Sequence, residues 1–487
     1  MNPAGSESHG HPAGRYAYNI FGKCFYLFGA HWFREALQTL FFVYLARKAS
    51  STYGEFILGL SAGQILLFLT EFGLNQHLIP LLAKNRGNSA GILAQVSSLK
   101  GGLLVPGLAG LWLFAGLQHY SPGLRNLFFA FGIGFGMEAL ASSFFAACQA
   151  EGRQDAEGKI RSAAATAGFT FGFTALLMGA APCLIAAYKI VEASVNLAGS
   201  AFFVLRKQRL TFGVRNPGEF WTLWRGSLVF MAMALATTFY NRANLFFLQQ
   251  HAGPDAVAQY GVSWQLVDGL SALVSNLLLR NVMFPLFAVL WREDRGELAR
   301  MARNSSSLLF AAALPIMFVL AAESDRIITL VYGPGYSDAI WIQRYLVLVV
   351  GIGFLQNLAA YLMIAVNRPV LLLGFYTAGL ALNAVSCAWL IPALPLAGAV
   401  FSLIATKGFV AILTVGFCQK RIGLFHRGHL AQAVSVLAAG AAFYVAGLHC
   451  LPREIAELAA LVPALFLGWK WWREFSHAAP ARAGAAG

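Results

Sequence analysis

Fourteen apolar runs, each long enough to cross a bilayer, follow one another along this chain with only short polar breaks between them. They lie at about 18–46, 54–82, 92–117, 125–149, 159–179, 182–204, 224–250, 257–283, 303–322, 339–365, 369–391, 394–416, 431–450 and 454–471. A lipid interior supplies no hydrogen bonds, so each run must satisfy its own backbone as an α-helix. Composition agrees: 58% of the 487 residues are hydrophobic and only 11% are charged, against about 25% charged in a soluble domain. The chain therefore reads as an all-α polytopic membrane protein of about fourteen transmembrane helices. Its first residues, MNPAGSESHGHPAGRYAYN, lack the basic–apolar–small pattern of a cleaved signal, so the first run is expected to remain a span. Cys24, Cys148, Cys183, Cys387, Cys418 and Cys450 fall in or beside apolar runs, without metal-ligand spacing, and read as small packing residues. No cofactor is expected.

The net charge of +14 raises the question of a polyanionic partner, and the positions of the charges answer it. Loops on the side bearing the N-terminus hold 22 Lys and Arg, and loops on the other side hold six, namely Arg47, Lys48, Arg125, Arg326, Arg344 and Arg453. The positive-inside rule then places both termini in the cytoplasm. The basic excess is topological, and no nucleic-acid partner is expected. Seven cations remain within spans: Lys23, Arg34, Lys100, Lys189, Arg242, Arg280 and Lys407.

The chain also repeats itself. Tyr53-Gly54 is followed by IPLLAKNRG with Pro80, and Tyr260-Gly261 by FPLFAVLWREDRG with Pro285. Arg34 precedes the first Tyr-Gly and Arg242 the second at nearly equal distance. Matches in the same order suggest two parallel six-helix lobes, a recurrent transporter plan with a site at the repeat interface. The expected division is 1–212 for the first lobe, 213–425 for the second, 426–475 for two added helices and 476–487 for a cytoplasmic tail.

At about 100° per residue, the first span sets Asn19, Lys23, His31, Arg34 and Gln38 on one stripe of an otherwise apolar helix. Other stripes carry Gln64, Glu71 and Asn75; Glu138, Ser142 and Gln149; Lys189, Glu192, Asn196 and Ser200; and Tyr260, Trp264, Asp268, Ser271 and Ser275. The seventh span adds Asn241 and Arg242. Such groups must face protein or water. Lys189 and Glu192 read as a structural i,i+3 pair, Lys407 as a side chain near a helix end that snorkels to water, and Lys100 and Arg280 stay open between roles. Arg34 and Arg242 are mid-span and equivalent in the repeat. They are expected to face a functional cavity, the competing reading being an ion pair with a nearby carboxylate. Glu35 is expected to pair with another helix. Arginine binds phosphate bidentately, and amides with Tyr and Trp suit sugars, so cations here fit an anionic glycan.

The stretch LARKASSTYGEFILGLSAGQILLFLTEFGLNQHLIPLLAKNRG, with VMFPLF and IITLVYGPGYSDA (residues 327–339), resembles bacterial polysaccharide-transport proteins. These are the O-antigen and exopolysaccharide repeat-unit flippases of the multidrug/oligosaccharidyl-lipid/polysaccharide (MOP) exporter superfamily. The resemblance covers the chain to about residue 420. It implies two lobes around a cavity that opens alternately to each side, in the bacterial inner membrane. The implied cargo is an undecaprenyl-pyrophosphate-linked glycan, with polysaccharide polymerase and glycosyltransferases as candidate partners. Pyrophosphate or acidic-sugar binding would fall to Arg34 and Arg242, with Lys23, His31, Gln38, Asn241, Tyr260 and Trp264 beside them. Asn244 stands where many relatives carry an acid, so any ion coupling would fall to Asp268, Glu71 or Glu138. Fourteen spans rather than twelve match the related lipid II flippases.

Two other readings compete. A multidrug exporter of the same superfamily needs cavity carboxylates for cationic drugs, the opposite of the bias here. A membrane glycosyltransferase, polymerase or ligase needs catalytic carboxylates or histidines in an aqueous loop. The sequence has no DxD, no long outer loop and no Walker motif, and its Glu293-Asp294, Glu323 and Asp325 fall at span ends as solvated charges. GIGFG at 132–136 lacks a strand–turn–helix context and reads as close helix packing.

Overall fold

The computed structural model describes residues 12–84, 89–206, 217–274, 278–279, 282–425 and 428–477. All regular structure among them is helical: α1 (Pro12–Lys48), α2 (Ser50–Glu71), α3 (Asn75–Lys84), α4 (Ser89–Leu117), α5 (Pro122–Ala150), α6 (Gln154–Leu177), α7 (Pro182–Ala186), α8 (Tyr188–Leu205), α9 (Pro217–Val274), α10 (Phe284–Glu293), α11 (Arg295–Ala322), α12 (Ser324–Tyr332), α13 (Ser337–Leu346), α14 (Leu348–Ala365), α15 (Pro369–Ala393), α16 (Pro395–Arg421), α17 (His429–Cys450) and α18 (Arg453–His477). Each of the fourteen apolar runs is mostly helix over its described residues, and eight helices among them are long and apolar enough to cross a membrane by themselves. The protein is a multi-pass membrane protein.

Periodicity did not reveal the breaks. The second run is interrupted by a turn in which Phe72 (φ 53°) and Gly73 (φ 64°) are left-handed. The sixth is split at Ala187 and the tenth at Val347. The long α9 is two helices joined at Gly253 (φ 78°, ψ −175°), a conformation that costs glycine little and other residues much. Starts are better marked. Ser121 accepts from the Leu124 amide at 3.2 Å ahead of Pro122, and Asp294 accepts from the Gly296 and Glu297 amides at 2.9 Å, satisfying donors a helix leaves open.

By packing, the chain forms two compact units. The first contains residues up to Lys48 and Leu58–Leu235; the second contains Ala49–Ile57 and Ala236 onward. In the first, α5 packs on α4 and α8, and α6 on α1 and α8. The glycines of GIGFG allow this approach, as expected: a Cβ on Gly134 would lie 2.8 Å from Cγ of Lys189 and 3.1 Å from its carbonyl carbon. Leu74, Leu78, Leu93, Val96 and Cys148 share one buried apolar core.

In the second unit α16 packs on α14 and α15, and α18 on α11 and α17. The start of α2 crosses α9 here. A Cβ on Gly54 would sit 1.9 Å from the Pro254 carbonyl oxygen, while one on the repeat-equivalent Gly261 would meet Ile57 Cγ2 at 3.3 Å. Tyr53 Oη donates to Gln265 Oε1 at 2.8 Å beside the crossing. The GPGYSDA segment is tied down by the eighth span: Gln259 Nε2 donates to Gly335 O at 2.8 Å and Ser263 Oγ to Ala339 O at 2.7 Å. The added pair α17–α18 is fastened at two ends. Trp471, fully buried among Ala311, Leu314 and Leu467, stacks on His429 at 4.4 Å. At the other end Arg453 meets Asp325 at 2.7 Å and Glu457 at 2.8 Å.

Candidate functional site

The polar stripes of the first unit converge on a ring of four charges. Arg34 of α1 pairs through Nε with Glu192 at 2.7 Å and through Nη2 with Glu138 at 3.4 Å. Lys189 Nζ pairs with Glu138 at 2.6 Å and Glu192 at 3.1 Å. Positive and negative groups alternate, each touching both opposites, so the ring is neutral. Lys189 and Glu192 are nearly sealed, at 3% and 6% side-chain exposure, whereas Arg34 keeps 21%. Gln38, Phe41, Phe169 and Tyr188 line a small recess against Arg34 and Glu192. Lys189 thus has the expected structural partner Glu192, and Arg34 has the nearby carboxylates of its competing reading.

A second neutral set lies on α2–α5. Fully buried Lys100 donates to Asn75 Oδ1 at 3.0 Å, Ser142 Oγ at 2.9 Å and Ala139 O at 2.9 Å. Asn75 Nδ2 in turn donates to Glu71 Oε1 at 2.8 Å. The openness left for Lys100 by the sequence resolves into a pinned ammonium. Glu35 lies 4.0 Å from His31 on its own helix, both about half exposed, so the expected partner on another helix is replaced by an i,i+4 neighbour. The side chains of Asn19 and Lys23, together with Ser275 and Arg280, lie outside the described residues.

The second unit is built differently. The guanidinium of Arg242 rests over the ring of buried Trp264 at 4.5 Å, a stack that keeps a charge against an apolar face. Asp268 lies one helical turn beyond Trp264 on α9. Asn241 donates to Thr237 O of its own helix at 2.8 Å. Beneath lies a knot of neutral groups. Fully buried Asn244 donates to Ala399 O at 2.7 Å and, more weakly, to Tyr260 Oη at 3.4 Å. Asn383 Nδ2 donates to Asn244 Oδ1 and to Thr406 Oγ1, both at 3.2 Å. Position 244, where relatives would place an acid, is therefore occupied by an amide held by amides, hydroxyls and a carbonyl.

Lys407 corrects the sequence reading. It lies in the middle of α16 and is only 7% exposed, so it does not snorkel from a helix end. The knot residues Asn383 and Thr406 were missed as well. Their signal was present, since an amide in an apolar run needs a partner, but the partner's identity is a tertiary fact.

The fold that holds these buried charges and amides is shared with solved structures of transporters. The lipid II flippase MurJ in an inward closed conformation is 11% identical over 93% of this chain and 98% of its own, with a TM-score of 0.64. A multidrug resistance MATE family transporter in an inward-facing conformation is 12% identical over 80% of this chain and 94% of its own, at 0.65. A MOP superfamily transporter from Pyrococcus furiosus, noted for the reverse polarity of its binding pocket, is 12% identical over 82% and 95%, at 0.58. At these identities the likeness is one of fold. No curated protein sequence matches the chain. Residues 64–341 match the polysaccharide biosynthesis protein family, and the chain belongs to that family.

Proposed function

We propose that the protein is a flippase that carries a lipid-linked, pyrophosphate-bearing oligosaccharide across the bacterial plasma membrane by alternating access, for surface or exopolysaccharide assembly. It moves its cargo and does not transform it. The observation that carries the proposal is membership of the polysaccharide biosynthesis protein family over residues 64–341. The mid-span cations Arg242, over Trp264, and Lys407, buried in α16, support an anionic cargo over the cationic drugs of the rival exporter reading. An apolar cavity of about 610 Å³ between α11, α13 and the added helices supports a lipid tail. Leu314, Phe318, Leu437, Tyr444 and Leu461 line it, with Arg344 among them. The asymmetry of loop Lys and Arg supports cytoplasmic termini.

Arg242→Ala should abolish glycan export with the protein still inserted, and Arg34→Ala should reduce it. Export assays with membrane-fraction blots read both. Normal export by both variants, or dye extrusion that needs no sugar–lipid, would move the protein to the multidrug branch.

A further inference from the structure

Three buried polar atoms of the first unit lack a hydrogen bond to any described residue: Arg34 Nε, Glu192 Oε1 and Tyr188 Oη. Arg34 Nε and Glu192 Oε1 touch at 2.7 Å, a contact of charges without a hydrogen bond's alignment. Buried donors and acceptors are almost always satisfied, by protein or by a bound polar group. All three residues line the same recess, with Gln38 beside them and Ala165 and Phe169 on its apolar wall. Its volume is about 20 Å³, and a water-sized group needs about 10–15 Å³ and about two to four polar partners. The recess therefore fits one oxygen with its hydrogens and offers three partners for it. It is not sealed, since Arg34 keeps 21% of its side chain exposed while Glu192 keeps 6%. The phenol is positioned by its ring, which packs on Phe41 at 4.8 Å, and by Gly172, where an added Cβ would lie 2.7 Å from Tyr188 Cβ.

The chemistry of the three atoms selects the occupant. Arg34 Nε–H only donates, the Glu192 carboxylate only accepts, and a phenol does either. A phosphate oxyanion has no hydrogen for Glu192 and meets a ring that is already neutral. An ammonium has no lone pair for Arg34. A hydroxyl accepts from Arg34 and donates to Glu192, and Tyr188 donates to its second lone pair. We propose that the recess binds one hydroxyl of a sugar in the cargo, with Tyr188 as the residue that reads it. This rests on the flippase reading, and it assigns a contact with the glycan, rather than with the pyrophosphate, to the first unit. Phe169, on the wall of the recess, offers an apolar face to the sugar ring. A sugar lacking that hydroxyl leaves the three buried atoms unmet, which is how a site built for a hydroxyl discriminates.

The test uses the full chain in phosphatidylcholine nanodiscs with two probes: undecaprenyl pyrophosphate, and the lipid-linked oligosaccharide extracted from a strain deleted for the gene. The parent should bind the oligosaccharide-bearing lipid about fivefold or more tightly than the bare pyrophosphate. Tyr188→Phe removes only the hydroxyl and should erase most of that preference, a loss of about fivefold. Its binding of bare pyrophosphate and its ligand-free melting temperature should hold. Ala165→Val narrows the recess with Tyr188 Oη in place and should erase the preference as well. Equal weakening of both probes in Tyr188→Phe would make the tyrosine structural and overturn the assignment. So would an unchanged preference in that variant, the result for a recess that holds only water. The deletion strain separates the two readings. Intact export there, with no oligosaccharide lipid accumulating, defeats the transport reading and this assignment with it. Lost export with a Tyr188-independent preference defeats the recess alone.

Discussion

Arg34 and Arg242 occupy equivalent places in a duplicated sequence, yet the two units treat them in opposite ways. Arg34 is clamped by two carboxylates in a closed ring with Lys189. Arg242 lies on an indole, on the helix whose Asn244 joins a knot of neutral amides. The first arrangement spends its charges on holding α1, α5 and α8 together. The second sets its arginine on an aromatic face. The repeat places one cation in each half, and the neighbours give each a different surrounding.

The sharpest way to break this comparison is to open the ring. Lys189→Met should destabilise the protein by about 3–5 kcal/mol, because it strands buried carboxylate charge. Adding Glu192→Gln should recover part of the loss, since coupled neighbours are not additive. Thermal midpoints from fluorescence-detected size exclusion would read both. A Lys189→Met protein as stable as the parent would make the ring a set of independent solvated charges.

The paired glycines test the repeat at the α2–α9 crossing. Gly54→Ala must push against the backbone oxygen of Pro254, 1.9 Å from the new Cβ, and should cost about 1–3 kcal/mol. Gly261→Ala meets only the Ile57 side chain at 3.3 Å and should cost less than about 1 kcal/mol, an adjustment of packing. Equal effects at the two sites would mean that the crossing is not as close as the structure has it.

The smallest effect concerns the clamp at the start of α18. Hydrogen bonds from Arg453 hold the Asp325 carboxyl well below the usual range. A depressed folded-state pKa stabilises above the unfolded value of about 3.9 and fades as pH falls through and below it. Asp325 is 37% exposed, so the contribution should stay within about 1 kcal/mol. Between pH 7 and pH 3 the parent should lose more thermal stability than Asp325→Asn; equal losses would remove Arg453–Asp325 from the clamp.

Much of the fold was legible in the sequence. The long apolar runs are mostly helical over their described residues because lipid leaves the backbone little other choice, and GIGFG marked a close helix contact, where Gly134 sits against Lys189. Helix starts at Ser121 and Asp294 carry their caps beside them. The breaks at Phe72, Ala187 and Val347 were not legible, because no local residue pattern at 3.6-residue period distinguishes a bent span from a straight one. The site was half visible. Stripes told which side chains avoid lipid, and Lys189–Glu192 was readable because i,i+3 neighbours meet on any helix.

The sequence by itself determined that this is a helical membrane protein with buried cations, since span length, charge count and periodicity are properties of the chain alone. Only the tertiary structure decided which cations were neutralised. Arg34 finds Glu138 and Glu192 on two other helices, Lys407 finds no such partner among the described residues, and Asn244 exchanges hydrogen bonds with Asn383. Charge balance depends on distances of a few ångströms between helices remote in sequence, and those distances exist only once the helices have packed.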